Sequence, residues 1–384
     1  MRILGIVAEY NPFHNGHAKH LQAAKEAVKP DFTYIALSGC LTQRGELSLM
    51  TPHDRARCAL EAGADAVFLL PAIWTVRDAE HYALGGVSLL EGMGATHLAF
   101  GTEAENPELA EEIAGALENR EEEFRDTLRA GLAEGIGYPR ALARAAGALN
   151  PAYEAALRRP NNILAVCYLR AMKRTGSGMV PVPLRREGAY RAERILPEAP
   201  SASALREALE RGDYAHVWPA VPAFTAGMLR RARLEGRVPR EERLDRLLIH
   251  QLRRMGREGI AALPDVAEGL EDRIHRAACR ADSRQELLDA VCTRRYSRAR
   301  ISRICACALL GITREDAEKT QPPRSGALLG LRSAGEMTAL WRKKTGPEGL
   351  PIPGETDLHA WQIWAECAGL PEGLPFTERV AKPG

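Results

Sequence analysis

The sequence predicts an α/β fold, a doubly wound parallel sheet followed by an all-helical C-terminal region, and three observations predict it. Short apolar runs alternate with amphipathic stretches through the first hundred residues, the order that builds parallel βαβ units. From about residue 213 to 312 the apolar periodicity is helical throughout. The chain has 384 residues, beyond the size at which one hydrophobic core usually stops growing, so more than one domain is expected.

Taken in order, Ile3–Ala8, residues 33–37, Ala66–Leu70 and residues 97–100 read as strands, because each is a short apolar run bounded by polar or turn residues. Between them, residues 17–28, residues 52–62 and Ala79–Gly92 carry helical periodicity, with Gly or Pro near several ends. Residues 104–158, rich in Ala, Glu and Arg, read as a helical insertion or cover, broken at Asn150-Pro151. Residues 161–174 form a further helix, 179–184 a returning strand, and 201–211 a helix opened by Ser201. The expected division is an α/β domain over 1–212 with its insertion at about 104–158, a helical Arg-rich domain over 213–312, and a Pro/Gly-rich tail over 313–384 with no assigned role.

Composition narrows the class. Apolar residues make up 45% and charged residues 27%, which excludes a disordered or fibrous chain. No run of about 18 apolar residues occurs, and the first residues lack a basic stretch followed by an apolar run and cleavage site, so a cytoplasmic protein is expected. The eight cysteines (40, 58, 167, 279, 292, 305, 307 and 367) show neither C-x-x-C nor zinc spacing and read as buried free thiols in a reducing compartment. Net charge is only +2, yet residues 226–303 hold nineteen Arg and no Lys against twelve acidic residues. That local excess of seven positive charges suits either an anionic partner or an Arg-rich solvated surface.

Doubly wound sheets bind ligands at the carboxyl ends of their strands, which selects the loops 9–16, 38–46 and 101–103. The first strand runs into Glu9-Tyr10-Asn11-Pro12-Phe13-His14-Asn15-Gly16-His17, an H-x-G-H element at a strand-to-helix junction. Gly16 removes bulk where nucleotide and backbone must approach. His14 and His17 can donate hydrogen bonds to a triphosphate and stabilise charge as pyrophosphate leaves. Two other readings stand beside this one: a helix cap with incidental histidines, and a metal site from His14, His17 and His20. The second is the poorer, because i and i+6 lie far apart around a helix. Gln43, Arg44 and Glu46 follow the second strand as an active-site loop or an ordinary polar turn. Gly101 can end its strand, and Asn161 and Ser201 can cap their helices. Arg294, Arg295, Arg298, Arg300 and Arg303 recur closely enough to cluster on adjacent helix faces beside Tyr296, or to form intrahelical ion pairs with neighbours such as Asp289.

The string from Gly5 to His17 resembles the H-x-G-H nucleotidyltransferase superfamily and, at full length, the bacterial tRNA(Met) cytidine acetate ligase family. Further segments resemble that family in the same order. They are Ser38-Gly39 with Gln43-Arg44-Gly45-Glu46, Ala79-Glu80, Phe100-Gly101-Thr102-Glu103, Pro160-Asn161-Asn162-Ile163-Leu164 and Ser201-Ala202-Ser203-Ala204-Leu205-Arg206. Glu268-Gly269-Leu270-Glu271-Asp272-Arg273-Ile274 and Arg294-Arg295-Tyr296-Ser297 with Arg300-Ile301 complete the set, which spans about residues 1–312.

The resemblance implies a two-step reaction. ATP, with Mg²⁺, and acetate give acetyl-adenylate and pyrophosphate, and the acetyl group then passes to N4 of the wobble cytidine of elongator tRNA(Met). It implies that Val7, Ala8, Glu9, Tyr10, Asn11, Pro12, Phe13, His14, Asn15, Gly16, His17 and His20 hold ATP, with His14 and His17 catalytic at the phosphates. Gly101 would admit the nucleoside, and Asn161, Asn162 and Arg186 would complete the site, with Arg185 able to stand in for Arg186. Ser201, Ser203 and Arg206 would form a second phosphate element, Gln43, Arg44 and Glu46 an active-site loop, and the arginines at 294–303 with Tyr296 a tRNA surface. No resident metal is implied. One departure stands out: where the family continues through an Asp-Lys pair, this chain has Thr51-Pro52. A small-molecule adenylyltransferase of the same superfamily is the first alternative, against which the long basic helical region argues. A non-catalytic nucleotide- or RNA-binding protein is the second, against which the intact His14, Gly16 and His17 argue.

Overall fold

The computed structural model describes residues 1–103, 108–134, 136–185, 195–267, 269–332, 341 and 350–370. Its centre is one six-stranded sheet of β1 (Ile3–Ala8), β2 (Phe32–Ser38), β3 (Ala66–Leu70), β4 (His97–Thr102), β5 (Val180–Arg185) and β6 (Leu328–Leu331), in the order β5-β4-β1-β2-β3-β6. Strands β1 to β5 pair in parallel, with Ile6 opposite Ile35 and Gly5 opposite Leu98. β1 and β3 carry no polar side chain, as suits strands covered on both faces. The chain builds outward from β1 through β2 to β3 and then crosses back to β4 and β5. The order therefore reverses between β1 and β4, and a ligand crevice is expected at their carboxyl ends.

Two apolar clusters cover the sheet. On one face lie α1 (Asn15–Val28), α2 (Pro52–Glu61), α10 (Ala202–Glu210), α11 (Tyr214–Val217) and α12 (Ala223–Leu234), joined through Leu21, Leu60, Leu205, Val217 and Leu229. On the other lie α4 (Ala79–Gly92) and α9 (Pro160–Thr175), extended by a cover of α5 (Glu108–Asn119), α6 (Glu121–Ala133), α7 (Tyr138–Leu149) and α8 (Pro151–Leu157). α4 lies so close to the sheet that a Cβ at Gly86 would fall 2.6 Å from Val7 Cγ2. The break at Asn150 is a helix cap, its side chain accepting from Ala152 N–H at 3.0 Å with Pro151 opening α8. Buried Arg170 ties the cover to the core through Glu80 at 2.6 Å and Glu118 at 2.7 Å.

A third cluster is helical: α13 (Glu241–Ala261), kinked at Gly256, α14 (Leu270–Ala278), α15 (Arg284–Val291), α16 (Arg298–Leu310), α17 (Arg314–Lys319) and α18 (Glu355–Ala368). It closes over Cys40, Leu41 and Leu47 after β2 and over Ala72 in the short α3 (Ala72–Thr75), so the helical part and the sheet share a core.

The described part of the Pro/Gly-rich tail joins both the sheet and the core. β6 pairs antiparallel with β3 and makes the sheet mixed. Trp341 packs edge-on against Tyr34 and Phe68, and Trp364 of α18 donates from Nε1 to Ser48 O at 2.7 Å. A four-residue edge strand, Leu-Leu-Gly-Leu, is too short to alternate visibly, and only its partner makes it a strand. All eight cysteines are free and six are buried, but Cys279 is exposed, contrary to the expectation of uniform burial. No helix among the described residues is long and apolar enough to cross a membrane.

Candidate active site

The first crevice loop turns sharply. Tyr10 adopts φ 48°, in the left-handed region that side chains rarely occupy, and the Asn11–Pro12 bond is cis. His14 then caps α1: its Nδ1 accepts from His17 N–H at 3.3 Å, and His17 Nδ1 accepts from His14 N–H at 3.3 Å. This is a capping box built from two imidazoles, whose rings stack 3.6 Å apart at 17°. Because each Nδ1 accepts, each neutral ring carries its proton on Nε2, and the pair sits at a helix N-terminus already favourable to anions. Gly16 has a reason closer than the approach of a nucleotide, since a Cβ there would sit 3.0 Å from His14 Cε1.

The rest of the turn is anchored from behind. Phe13 is fully buried between Tyr10 and Phe224, with ring centroids at 4.7 and 5.9 Å. Asn15 donates to the carbonyls of Pro197 and Pro219, both at 2.9 Å. Asn11 accepts from Leu49 N–H at 2.8 Å, which fixes its amide so that Nδ2 is the donor; that buried Nδ2 and the Tyr10 hydroxyl have no hydrogen-bond partner among the described residues.

The second loop is a tight hairpin held by a Leu41–Leu47 bridge. Gly45 sits at φ 69°, and a Cβ there would fall 2.6 Å from Ser302 O of α16, so both conformation and contact require glycine. Gln43 N–H donates to Glu9 Oε1 at 2.6 Å, its side chain donates to Arg77 O at 2.7 Å, and Glu46 pairs with Arg206 at 2.8 Å. Burial pushes the Glu9 carboxyl above its ordinary range, opposed by the Gln43 hydrogen bond and by Arg206 and Arg44. Ser201 caps α10, accepting from Ala204 N–H at 3.2 Å with Ser203 Oγ 3.4 Å away, while Arg206 donates to Asn11 O at 3.0 Å.

At the β4 end, a Cβ on Gly101 would meet nothing within 4 Å, so this position leaves open space. Asn161 does not cap its helix: Arg159 is the cap residue, Pro160 opens α9, and Asn161 donates to Glu103 Oε1 at 2.5 Å. Asn162 is buried as a brace, accepting from Thr102 Oγ1 at 2.9 Å and Glu103 N–H at 2.7 Å.

These loops face one cleft of about 2180 Å³. Its lining brings together Val7, Ala8, Glu9, Tyr10, Asn11, His14, Gly16, His17 and His20, with Gln43, Arg44, Glu46, Gly101, Asn161, Arg185, Ser201, Ser203 and Arg206. Arg295, Arg298, Arg300 and Arg303 line the same cleft, but Pro12, Phe13, Asn15, Asn162, Arg294 and Tyr296 do not. Arg186 lies outside the described residues. Tyr82, Tyr138, Tyr168 and Arg284 also line it and were missed in the sequence; each sits on a helix whose approach to the crevice only the fold determines. The volume exceeds the roughly 300–1,000 Å³ of a small-molecule site and leaves room for a second reactant. No group of three His, Cys, Asp or Glu side chains among the described residues is gathered to hold a metal ion.

Two expectations change in detail. The ion pairing of the arginines runs between elements rather than within one helix: Arg298 of α16 meets Asp289 of α15 at 2.8 Å and Arg303 lies 3.9 Å from the Asp265 carboxylate, whose backbone carbonyl accepts from Arg300 at 2.6 Å. The Tyr296 ring has the Arg295 and Arg300 guanidiniums 5.6 and 5.4 Å from its centroid, so these cations already lie over it. Thr51-Pro52 is a helix start, with Thr51 accepting from Asp54 N–H at 3.0 Å and Pro52 at the first position of α2. Three residues on, Arg55 is fully buried; it donates to the carbonyls of Glu9 at 2.5 Å and of Gly39, fastening the ends of β1 and β2. Burial pulls it down to about 10, so it remains charged at neutral pH.

Converging donors from two capped helices, at the crevice where a doubly wound sheet reverses its order, place the chain among nucleotide-binding proteins of the nucleotidyltransferase class. A family model described as HIGH Nucleotidyl Transferase matches residues 1–348. A curated relative from Thermoanaerobacter sp., named tRNA(Met) cytidine acetate ligase, is 34% identical over 358 residues, 92% of this chain and 88% of the relative. One of the same name from Alkaliphilus metalliredigens is 36% identical over 328 residues, 81% of this chain and 77% of the relative. Apo TmcAL from Thermotoga maritima matches with a TM-score of 0.88 and 27% identity over 100% of both chains. The same protein bound with alpha-thio ATP matches with a TM-score of 0.82 and 29% identity, over 94% of this chain and 92% of that one. The chain belongs to the tRNA(Met) cytidine acetate ligase family.

Proposed function

We propose that this chain is an ATP-dependent tRNA(Met) cytidine acetate ligase. The observation that carries the reading is the reciprocal His14–His17 cap at a helix N-terminus, set in a cleft that also reaches the arginines of α16. Acetate is a poor acyl donor until its oxygen is tied to a good leaving group. Its attack on the α-phosphate of ATP forms acetyl-adenylate and expels pyrophosphate. The imidazole donors, Ser201, Ser203 and Arg206 stabilise the charge that gathers on the leaving phosphates. Gly101, Asn161 and Arg185 take the nucleoside end, with Arg186 beside them in sequence. Mg²⁺ enters with ATP as the counter-ion of its phosphates.

In the second step N4 of the wobble cytidine of elongator tRNA(Met) attacks the acetyl carbon and AMP leaves. Residues 1–212, including the cover at 104–158, do the activation, and the basic helices within 213–312 take the tRNA, in the cytoplasm. With Pro52 in place of the family lysine, Arg44 and Arg206, which line the cleft, take over its charge. The test is exchange of labelled pyrophosphate into ATP, expected only when acetate is supplied. Exchange with a nucleotide substrate in place of acetate would indicate a small-molecule adenylyltransferase, and tRNA binding with no exchange under any condition a non-catalytic protein.

A further inference from the structure

We propose that Glu9 is the general base that takes the proton from N4 of the target cytidine as the acetyl group is transferred. The inference rests on the ligase reading and assigns to Glu9 a task other than holding ATP.

Glu9 differs from the other acidic residues on the β-strand side of the cleft: Glu46, Asp78 and Glu80 are each paired, with Arg206 at 2.8 Å, His81 at 2.8 Å and Arg170 at 2.6 Å. Glu198, Glu210, Glu241 and Glu242 also line the cleft outside any ion pair among the described residues, but none of them follows a sheet strand into the crevice as Glu9 does. Among the described residues the Glu9 carboxylate is in no ion pair, and its hydrogen bond is the one it accepts from Gln43 N–H. An unpaired carboxylate repels a triphosphate, so Glu9 is poorly suited to be a phosphate ligand. Its chemistry fits an amino donor, and the exocyclic N4 of cytosine is the amino group that a Glu or Asp side chain recognises.

Its position is that of the acceptor. Gly101 and Arg185 mark the crevice on the β4–β5 side of β1, whereas Glu9 is held from the β2 side by Gln43. The hairpin carrying Gln43 rests in turn on the basic helices: Ser302 Oγ donates to Arg44 O, and Arg284 donates to Gly45 O at 3.4 Å. Glu9 therefore sits where the arginine-bearing helices meet the histidine cap, the junction at which a tRNA nucleoside must meet acetyl-adenylate. Tyr82 and Tyr168, both buried and both lining the cleft, give flat apolar walls beside it, and their hydroxyls feel its charge.

The chemistry needs such a group. The N4 lone pair is delocalised into the cytosine ring, so attack is weak unless a proton is removed as the bond forms. In the step, N4 bonds to the acetyl carbon, the bond from that carbon to the phosphate oxygen breaks, and AMP departs with the electron pair. The N4 proton passes to Glu9 and then to solvent. Facing Glu9 are Arg206 from α10, Arg44 and Glu46 from the hairpin, Arg55 from α2, Tyr82 from α4 and Tyr168 from α9. Burial outweighs the cations and lifts the carboxyl toward the working range of a base.

The experiment uses the full chain with tRNA(Met) and compares wild type with Glu9→Gln, which keeps an oxygen to accept from Gln43 N–H. Single-turnover transfer from enzyme-bound acetyl-adenylate should fall ~100-fold or more, and at least tenfold further than acetate-dependent pyrophosphate exchange does. Wild-type transfer should rise with pH through an apparent pKa above the ordinary glutamate value, and this rise should be absent from Glu9→Gln. Transfer at the wild-type rate in the variant overturns the proposal. Loss of exchange and transfer together also overturns it, because Glu9 would then serve activation. If the variant does not fold, the wild-type profile decides, and transfer independent of pH between about 5 and 8 contradicts a carboxylate base of raised pKa. A wild type that exchanges pyrophosphate but never forms N4-acetylcytidine would sink the ligase reading itself, a failure distinct from that of Glu9.

Discussion

His14 and His17 are reciprocal cap partners, and on the proposed function they also face the phosphates, two roles that separate experimentally. His17→Ala removes one donor and half of the capping box, so product formation should be abolished. tRNA affinity should stay nearly unchanged, and loss of the cap should cost about 1 kcal/mol of stability. Filter binding and denaturant titration check both; a large loss of tRNA binding would contradict the division of labour. Gly16→Ala should act through His14, because the new methyl must displace that ring. Exchange activity should fall at least tenfold, about 1.4 kcal/mol in barrier terms, with the midpoint of unfolding little changed. The sequence makes these residues legible as a group, since H-x-G-H at a strand end is a local pattern. It does not show that the histidines hold each other, which depends on ring rotamers. Nor could Tyr82 and Tyr168 be read, since they lie far apart in sequence and meet only because α4 and α9 pack together.

At the scale of elements, the hairpin at 41–47 and the helix α18 carry the testable weight. Gly45 has a left-handed backbone and no room for a Cβ, so Gly45→Ala should destabilise by ~1–3 kcal/mol and slow transfer to tRNA, read by denaturant midpoint and single-turnover assay. In α18, Asp357 is buried and accepts from Ala72 N–H at 2.7 Å and Gly354 N–H at 3.2 Å, and burial pushes its carboxyl up to about 6. The folded state therefore holds this proton more tightly than the unfolded state, whose carboxyl titrates near 3.8. The resulting contribution is fully present below the unfolded value and is lost as pH rises from about 4 to 6. Unfolding midpoints measured across that window should decline in the wild type relative to Asp357→Asn; parallel profiles would exclude it. The strands β1 to β5 were legible from apolar runs between helical periods. β6 and the seat of α18 were not, because a short edge strand and a tryptophan-bearing helix acquire their roles from distant partners, β3 and the carbonyl of Ser48.

Over the whole molecule, the sheet and the basic helices share a core through Leu41, Leu47 and Ala72 and line a common cleft, which on the proposed function would hold activation and tRNA capture in one body. The charge excess at 226–303 was visible by counting, but which arginines face the cleft was not. Arg240, Arg284, Arg295, Arg298, Arg300 and Arg303 do, Arg298 while also paired with Asp289. Affinity for tRNA should fall steeply with salt while acetate-dependent exchange changes little, and Arg295→Gln should reduce the log–log slope by about 0.7 if one single-strand phosphate contact is lost. The central claim is tested most directly by nucleoside analysis of elongator tRNA(Met) after incubation with the chain, ATP and labelled acetate. The account predicts labelled N4-acetylcytidine at the wobble position, dependent on both ATP and acetate, and unmodified cytidine from a chain that still binds ATP and tRNA would contradict it.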